Sequence, residues 1–479
     1  MRIRTQTIGK ILALLSLLLV IFSLKMLFEE GNLHRSFETA GFQNSKSISE
    51  GKVVAVTRQI EKQTSRLKFS HRNSRQVAHV VTSNKTDKPK SRIEFSHCKS
   101  RQFSLKAAEL MSSYTIKTAT NTTCLSLGTR FSTYDRCICR KGWLGESCNI
   151  PEALHYSHSM KSEGRRRLKL RYGTARRVIY ATLFNHEFEM IETLLNEHFE
   201  LVDVFIFVES TFTAFGIRKP LRLLPRLHRG YLKEFAPKIM YLYLDHFPTG
   251  ARKEGFKADS YLRGYLGIKG LANIHNLRDD DLFLVFDIDE IPTQEFIAFL
   301  KFHDGYPEPF GVRLRWSVFG FFWKNDRPTQ VTVGCTVGML KTVYNNDSNI
   351  IRAIHIGLDP KLMANLESYK KSHLVQSWFM GEDRYLAGWH CSSCLKPEGI
   401  RIKFMCAQNA DYPRWGSIPE KMDLKYITSL VKEGKWFDGG KLPEADINSD
   451  SFFAPQHMLE NPDRYKYLLV NPYVNGRRQ

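Results

Sequence analysis

Four runs of almost unbroken apolar residues set the rhythm of the middle of the chain, at 178–184, 202–208, 239–244 and 282–286. Each has the length of a strand and is too uniformly apolar for a strand with one wet face, so they predict strands buried on both sides. After the first run, Phe188, Ile191, Leu195 and Phe199 recur at helical spacing, and a second helix is expected around 257–268. Strands alternating with helices predict an α/β domain with a parallel sheet covered on both faces. This large domain is expected over 165–479, after the basic hinge Arg165-Arg166-Arg167.

The N-terminal pattern is different. Basic residues Arg2, Arg4 and Lys10 precede an apolar run at 11–28, interrupted only by Lys25 and two serines. Eighteen residues approach the ~20 needed to span a bilayer, and no small-residue cleavage site follows. The expectation is a cytoplasmic tail at 1–10, a signal-anchor helix at 11–28 and a lumenal C-terminus, the basic flank staying inside. Residues 29–120 form the predicted stem, and 121–150 a cysteine-rich module.

Composition refines this order. With 70 Lys+Arg against 49 Asp+Glu the formal charge is +21, and 14 basic against 5 acidic residues at 31–100 supply +9 of it. That segment is rich in Ser and Thr and poor in aromatics, so it reads as a solvated tether rather than a nucleic-acid-binding face. A charged fraction of 25% excludes a polytopic membrane protein. Five of nine cysteines (Cys98, Cys124, Cys137, Cys139, Cys148) fall within 51 residues, which suits an oxidising compartment. Asn84, Asn121 and Asn346 begin glycosylation triplets. The odd cysteine count leaves one thiol over, and Cys98 is the candidate for a covalent dimer link.

The chemistry is expected beyond the carboxyl ends of the strands, where open parallel sheets bind ligands. After the fourth run stands Asp287-Ile288-Asp289-Glu290. Three carboxylates beside a buried strand need a cation or solvent. Asp287 and Asp289 suit a divalent ion through oxygen ligands, and an acidic surface turn is the alternative. Asn185, His186 and Glu187 follow the first strand; Glu209, Ser210, Thr211 and Thr213 follow the second. They are candidates for nucleotide and sugar hydroxyls, or caps of turns and helices. The aromatic run containing Trp316 and Trp323 serves either sugar stacking or core packing. Cys391 and Cys394 are open to three readings: a redox dithiol, part of a zinc site with Cys406, or a disulfide beside a His390 aimed at the metal or diphosphate. An oxidising lumen favours the third.

Two resemblances add to this. Cys137-Ile-Cys139 with Cys148 and the intervening Gly142-Trp143-Leu-Gly145 resembles the second half of an EGF-like module. That resemblance implies bridges Cys139–Cys148 and Cys124–Cys137 in a partial EGF-like staple. More broadly, the strings RRVIYATLFNHEFEM, VESTFTAFGIRKPL, DHFPTGARKEGFKADSYLR, FDIDEIP, GCTVGML, AGWHCSSC, KPEGIRIKFMCAQNADYPRWG and GKWFDGG resemble the bisecting N-acetylglucosaminyltransferase family, glycosyltransferase family 17. The resemblance runs from about Cys124 to Tyr473. It implies a GT-A-like fold, a type II Golgi membrane protein, UDP-GlcNAc as donor, the core mannose of N-glycans as acceptor, and manganese as the divalent cation. Departures are Ser393-Cys394-Leu395 where the family has Trp-Cys-Phe, and Phe286 where it tends to have Asp.

Transfer from an α-linked donor to a β-linkage needs one inverting displacement and a general base for the acceptor hydroxyl. Asp289, Glu290 and Asp411 are the expected catalytic carboxylates, with Glu382 and Asp383 further candidates for the base. Arg414 or Lys403 would neutralise phosphate charge. A different glycan acceptor, a non-catalytic glycan-binding protein and a lumenal thiol oxidoreductase are the competing readings.

Overall fold

A computed structural model of the chain describes residues 96–97, 103–159, 165–253, 255–352, 359–406 and 413–474. These belong to the compact unit Ser91–Gln479. The apolar run at 11–28, Asn84, Cys98 and Asp411 lie outside the described residues. Among the described residues no helix is long and apolar enough to cross a membrane.

Eleven strands form one sheet: β1 (Ser96–His97), β2 (Val178–Leu183), β3 (Val204–Ser210), β4 (Ile239–Leu244), β5 (Leu282–Asp287), β6 (Glu290–Pro292), β7 (Glu308–Val318), β8 (Gly320–Lys324), β9 (Thr329–Thr336), β10 (Val375–Met380) and β11 (Gly388–Ser392). The spatial order is β1-β4-β3-β2-β5-β9-β7-β11-β6, with β8 and β10 also paired to β7. The first five strands in that order are parallel. From β5 onward the sheet turns mixed, β9 running antiparallel to both β5 and β7. The expected all-parallel sheet is therefore only half of the observed one. The second half alternates in polarity along β7 and β9, and its strands lack the uniform apolar signature that marks buried parallel strands.

The order also forces the sheet to curl. β5 ends at Asp287 and β6 begins at Glu290, yet they stand four ladder steps apart. Four steps in a flat sheet would span about 19 Å, whereas three Cα–Cα links reach about 11 Å. Only a curved sheet closes that gap, and Asp287-Ile288-Asp289 is the chain that bridges it.

Alternating residues of the parallel strands feed two cores. Val178, Tyr180, Phe205, Phe207, Leu284 and Phe286 face one, with helices α1 (Phe188–His198) and α3 (Gln294–Phe302). Ile179, Ala181, Ile206, Val208, Phe283 and Val285 face the other, against α2 (Gly255–Ala272). Both faces are covered, as continuous apolar strands require.

The cysteine-rich segment carries disulfides Cys124–Cys137 and Cys139–Cys148. Its inner face is continuous with the first core through Leu125 and Trp143. Asn149 Nδ2 hydrogen-bonds His303 Nε2 at 3.0 Å, tying it to the end of α3.

Candidate active site

The sheet's curl encloses a cavity of about 430 Å³. Asp287 and Asp289 come from the β5–β6 link, Trp316 from β7 and His390 from β11. Register sets the rest: His390 stands opposite Glu290 on β6 and beside Trp316 on β7. Lys403 and Phe404 enter from α5 (Pro397–Cys406), and Trp436, Asp438 and Lys441 from the turn after α6 (Leu424–Glu433). The short helix α4 (Asn349–Arg352) delivers Arg352.

Burying carboxylates here requires cations, and the structure supplies them. Arg263 of α2 grips Asp287 at 2.9 Å, and Arg352 approaches the same carboxylate at 3.4 Å while holding both oxygens of Glu290 at 2.8 Å. Burial works to raise the pKa of Asp287, but the two guanidiniums outweigh it and hold the group well below the usual range. Lys403 pairs with Asp289 at 2.6 Å and lies 3.8 Å from Glu187. Burial opposes the Lys403 charge, and the two carboxylates overcome it and drive its pKa up. Glu187 is likewise penalised by burial yet ends lowered to about 2, through His186, Lys403 and the backbone N–H of His186.

One edge of this cluster is under-satisfied. Asn185 Nδ2, His186 Nδ1 and Lys219 Nζ are buried without hydrogen-bond partners among the described residues. Asn185 Oδ1 accepts from Arg222 at 3.2 Å, and His186 Nε2 meets the Gly399 carbonyl at 2.9 Å, docking α5 onto the β2–α1 turn. Burial lowers the pKa of both His186 and Lys219. Orphaned buried polar atoms are costly: Asn185 Nδ2 and Lys219 Nζ are donors, whereas His186, whose Nε2–H donates to the Gly399 carbonyl, leaves Nδ1 as an acceptor.

The donor set fits a divalent ion in part. Asp289 Oδ1 and His390 Nε2 lie 3.9 Å apart, a separation one ion spans with two bonds of about 2.0–2.2 Å. Asp287, expected to share such an ion, has both oxygens engaged by guanidiniums. Among the described residues no three His, Cys, Asp or Glu side chains converge on a metal position. An ion on Asp289 and His390 would therefore need substrate oxygens to complete its shell.

Other expected site residues do different work. Glu290 points away from the cavity into Arg352. Glu209 caps the helix Leu223–His228, accepting from the N–H groups of Arg222, Leu223 and Leu224 and from the Tyr241 hydroxyl. Ser210 Oγ accepts from the Phe212 N–H in a local turn. Trp323 is buried, with Nε1 donating to the Val431 carbonyl at 2.7 Å. Arg414 is exposed and stacks over Phe215 at 3.6 Å. Glu382 and Asp383 pair with Arg313, away from the cavity.

Cys391 and Cys394 are bonded to each other and only 1% and 2% exposed, while Cys335 and Cys406 are buried thiols. A disulfide sealed from partners is unsuited to thiol exchange. Asn121 is exposed, but Asn346 is half-buried, and Ser348 of its triplet is fully buried against α2. The wall from Trp436 to Leu442 escaped sequence reasoning as a site, although GKWFDGG was visible as a motif; its Gly-Gly turn was the signal.

A curled α/β sheet whose strand ends gather carboxylates, cations and aromatic walls frames this cavity, and the family match makes it a mixed α/β glycosyltransferase domain. Residues 145–346 match the model of glycosyltransferase family 17, and the chain carries that family's domain. It is similar to the beta-1,4-mannosyl-glycoprotein 4-beta-N-acetylglucosaminyltransferases of Rattus norvegicus (42% identity, covering 70% of this chain and 62% of the relative) and Homo sapiens (42%, covering 71% and 63%). The Mus musculus protein of the same name is 41% identical over 74% of this chain and 66% of its own length. The matched region thus spans just under two thirds of these relatives.

Proposed function

We propose that the chain is an inverting glycosyltransferase that moves N-acetylglucosamine from UDP-GlcNAc in β1,4 linkage onto the core β-mannose of N-glycans. The observation that carries this reading is the Asp289–Lys403–His390 cluster at the cavity, with the orphaned donors of Asn185 and Lys219 in the segments that follow the neighbouring strands. The names of the relatives support the sugar, the linkage and the mannosyl glycoprotein acceptor.

In this reading the domain is GT-A-like and the nucleotide diphosphate lies against Lys403. Asp289 and His390 would hold a divalent cation, manganese, which would supply Lewis-acid stabilisation of the departing diphosphate. Arg263 and Arg352 hold Asp287 and Glu290 in ion pairs and keep the β5–β6 link rigid. Trp316 and Trp436 offer ring faces for sugars. The apolar run at 11–28 anchors the chain as a type II Golgi membrane protein, with the partial EGF-like staple braced against the catalytic domain.

The test incubates residues 31–479 with UDP-GlcNAc, manganese and a biantennary N-glycan, with a chelator control and linkage analysis of the product. A chelator-sensitive gain of one β1,4-linked N-acetylhexosamine on the core mannose is expected. UDP release without that product would overturn the acceptor, and no turnover by a folded fragment would overturn the enzyme reading. Asp289→Ala is expected to abolish transfer with folding retained.

A further inference from the structure

Among the described residues the transferase reading still lacks a base, and three of their carboxylates line the cavity: Asp287, Asp289 and Asp438. The first two are bound to Arg263, Arg352 and Lys403. A carboxylate held by a guanidinium or ammonium is a poor proton acceptor, because its charge is already stabilised. Asp438 is exposed and forms no ion pair among the described residues; the backbone N–H of Gly440 donates to its Oδ1 at 2.8 Å. From these observations we infer that Asp438 is the catalytic base that takes the proton of the acceptor hydroxyl.

The local fold is built to hold it there. Helix α6 ends at Gly434, whose φ of 63° turns the chain sharply. The following turn is closed by Trp436 N–H to the Gly440 carbonyl at 2.7 Å and Leu442 N–H to the Gly434 carbonyl at 2.7 Å. Phe437, fully buried, packs on Phe404 with ring centroids 4.4 Å apart. Phe404 follows Lys403 and Phe437 precedes Asp438, so one aromatic contact fixes the spacing of the cation and the free carboxylate. Electrostatics divides their roles. Lys403 is matched by Asp289 and Glu187, whereas the uncompensated Asp438 repels the anionic diphosphate and is left to the neutral acceptor.

The step balances without a further reactant. The acceptor oxygen forms a bond to C1 of N-acetylglucosamine as the bond from C1 to the diphosphate oxygen breaks. That bonding pair leaves with UDP, and the hydroxyl proton passes to Asp438. A general base contributes about 10²–10⁴-fold.

This inference rests on the transferase reading, and the experiment separates the two. Wild type, Asp438→Asn and Asp438→Glu are compared for kcat and donor KM with UDP-GlcNAc and the biantennary glycan, and for UDP affinity by calorimetry. The expected result is a kcat loss of about 10²–10⁴-fold in Asp438→Asn, with UDP affinity and melting temperature unchanged and partial recovery in Asp438→Glu. Active wild type with Asp438→Asn within threefold of its kcat would overturn the base assignment alone. A parallel loss of UDP affinity would move Asp438 to donor binding and overturn it too. Inactive wild type would overturn both readings together.

Discussion

Carboxylates in two parts of this molecule live under opposite conditions. At the ends of the parallel strands Glu187, Glu209 and Glu290 are buried, and each is matched by a cation, backbone N–H groups or both. In the turn after α6, Asp438 is exposed and forms no ion pair among the described residues. The difference follows from desolvation: a buried charge persists only when compensated, so the parallel half fixes geometry, while the later turn keeps a group free to react. The sharpest test of this contrast is Arg352→Met. It strands Glu290, which is 2% exposed, and should cost about 3–5 kcal/mol, read as a fall in urea midpoint. Asp438→Asn should change stability by less than about 0.5 kcal/mol. Equal costs for the two would dissolve the distinction.

A smaller effect separates the buried α3 terminus from the exposed surface by pH. His303 Nδ1 faces the Phe299 carbonyl at 3.0 Å, which leaves Nε2 to accept from Asn149. Burial, only partly offset by the Phe299 carbonyl and Asp304, lowers its pKa from 6.5 to about 4. The folded state therefore binds the proton less tightly than the unfolded state. The contribution to stability is complete above pH 6.5 and is lost as pH falls from 6.5 through about 4, amounting to about 3 kcal/mol. Midpoints at pH 7.5 and 4.5 should fall less steeply for His303→Asn than for wild type. Identical slopes would show that the joint between the staple and α3 does not titrate.

What the sequence disclosed follows the same divide. The four parallel strands were legible because both faces are buried, and uninterrupted apolar runs such as 282–286 carry that fact locally. Asp287 and Asp289 were legible because carboxylates after such a run need an explanation. The antiparallel half was not. Arg313 and Arg315 lie inside β7, and the buried Arg315 charge is matched by Asp450, 135 residues on, at 3.0 Å. The cations that neutralise the cluster, Arg263, Arg352 and Lys403, come from three distant helices, and no local pattern announces such partners. For Glu209 and Trp323 the sequence leaves two roles open, capping or packing against substrate contact, because the partners that decide, a helix N-terminus and the Val431 carbonyl, are contacts made by folding.

The two tryptophans give the finest version of the comparison. Trp316 lines the cavity, with Nε1 donating to Ser392 Oγ at 2.9 Å and its ring stacked 6.0 Å from His390. Trp323, one strand later, packs against Gly434, where an added Cβ would meet the indole at 2.9 Å. If Trp316 offers its face to the sugar, Trp316→Ala should raise the acceptor KM by about 2- to 10-fold, the value of an aromatic contact of about 0.5–1.5 kcal/mol. Trp323→Phe should lose a single hydrogen bond, about 1 kcal/mol of stability, and leave the KM unchanged. Should Trp323→Phe raise the KM while Trp316→Ala does not, the acceptor would lie on the α6 side of the cavity, against the turn that holds Asp438.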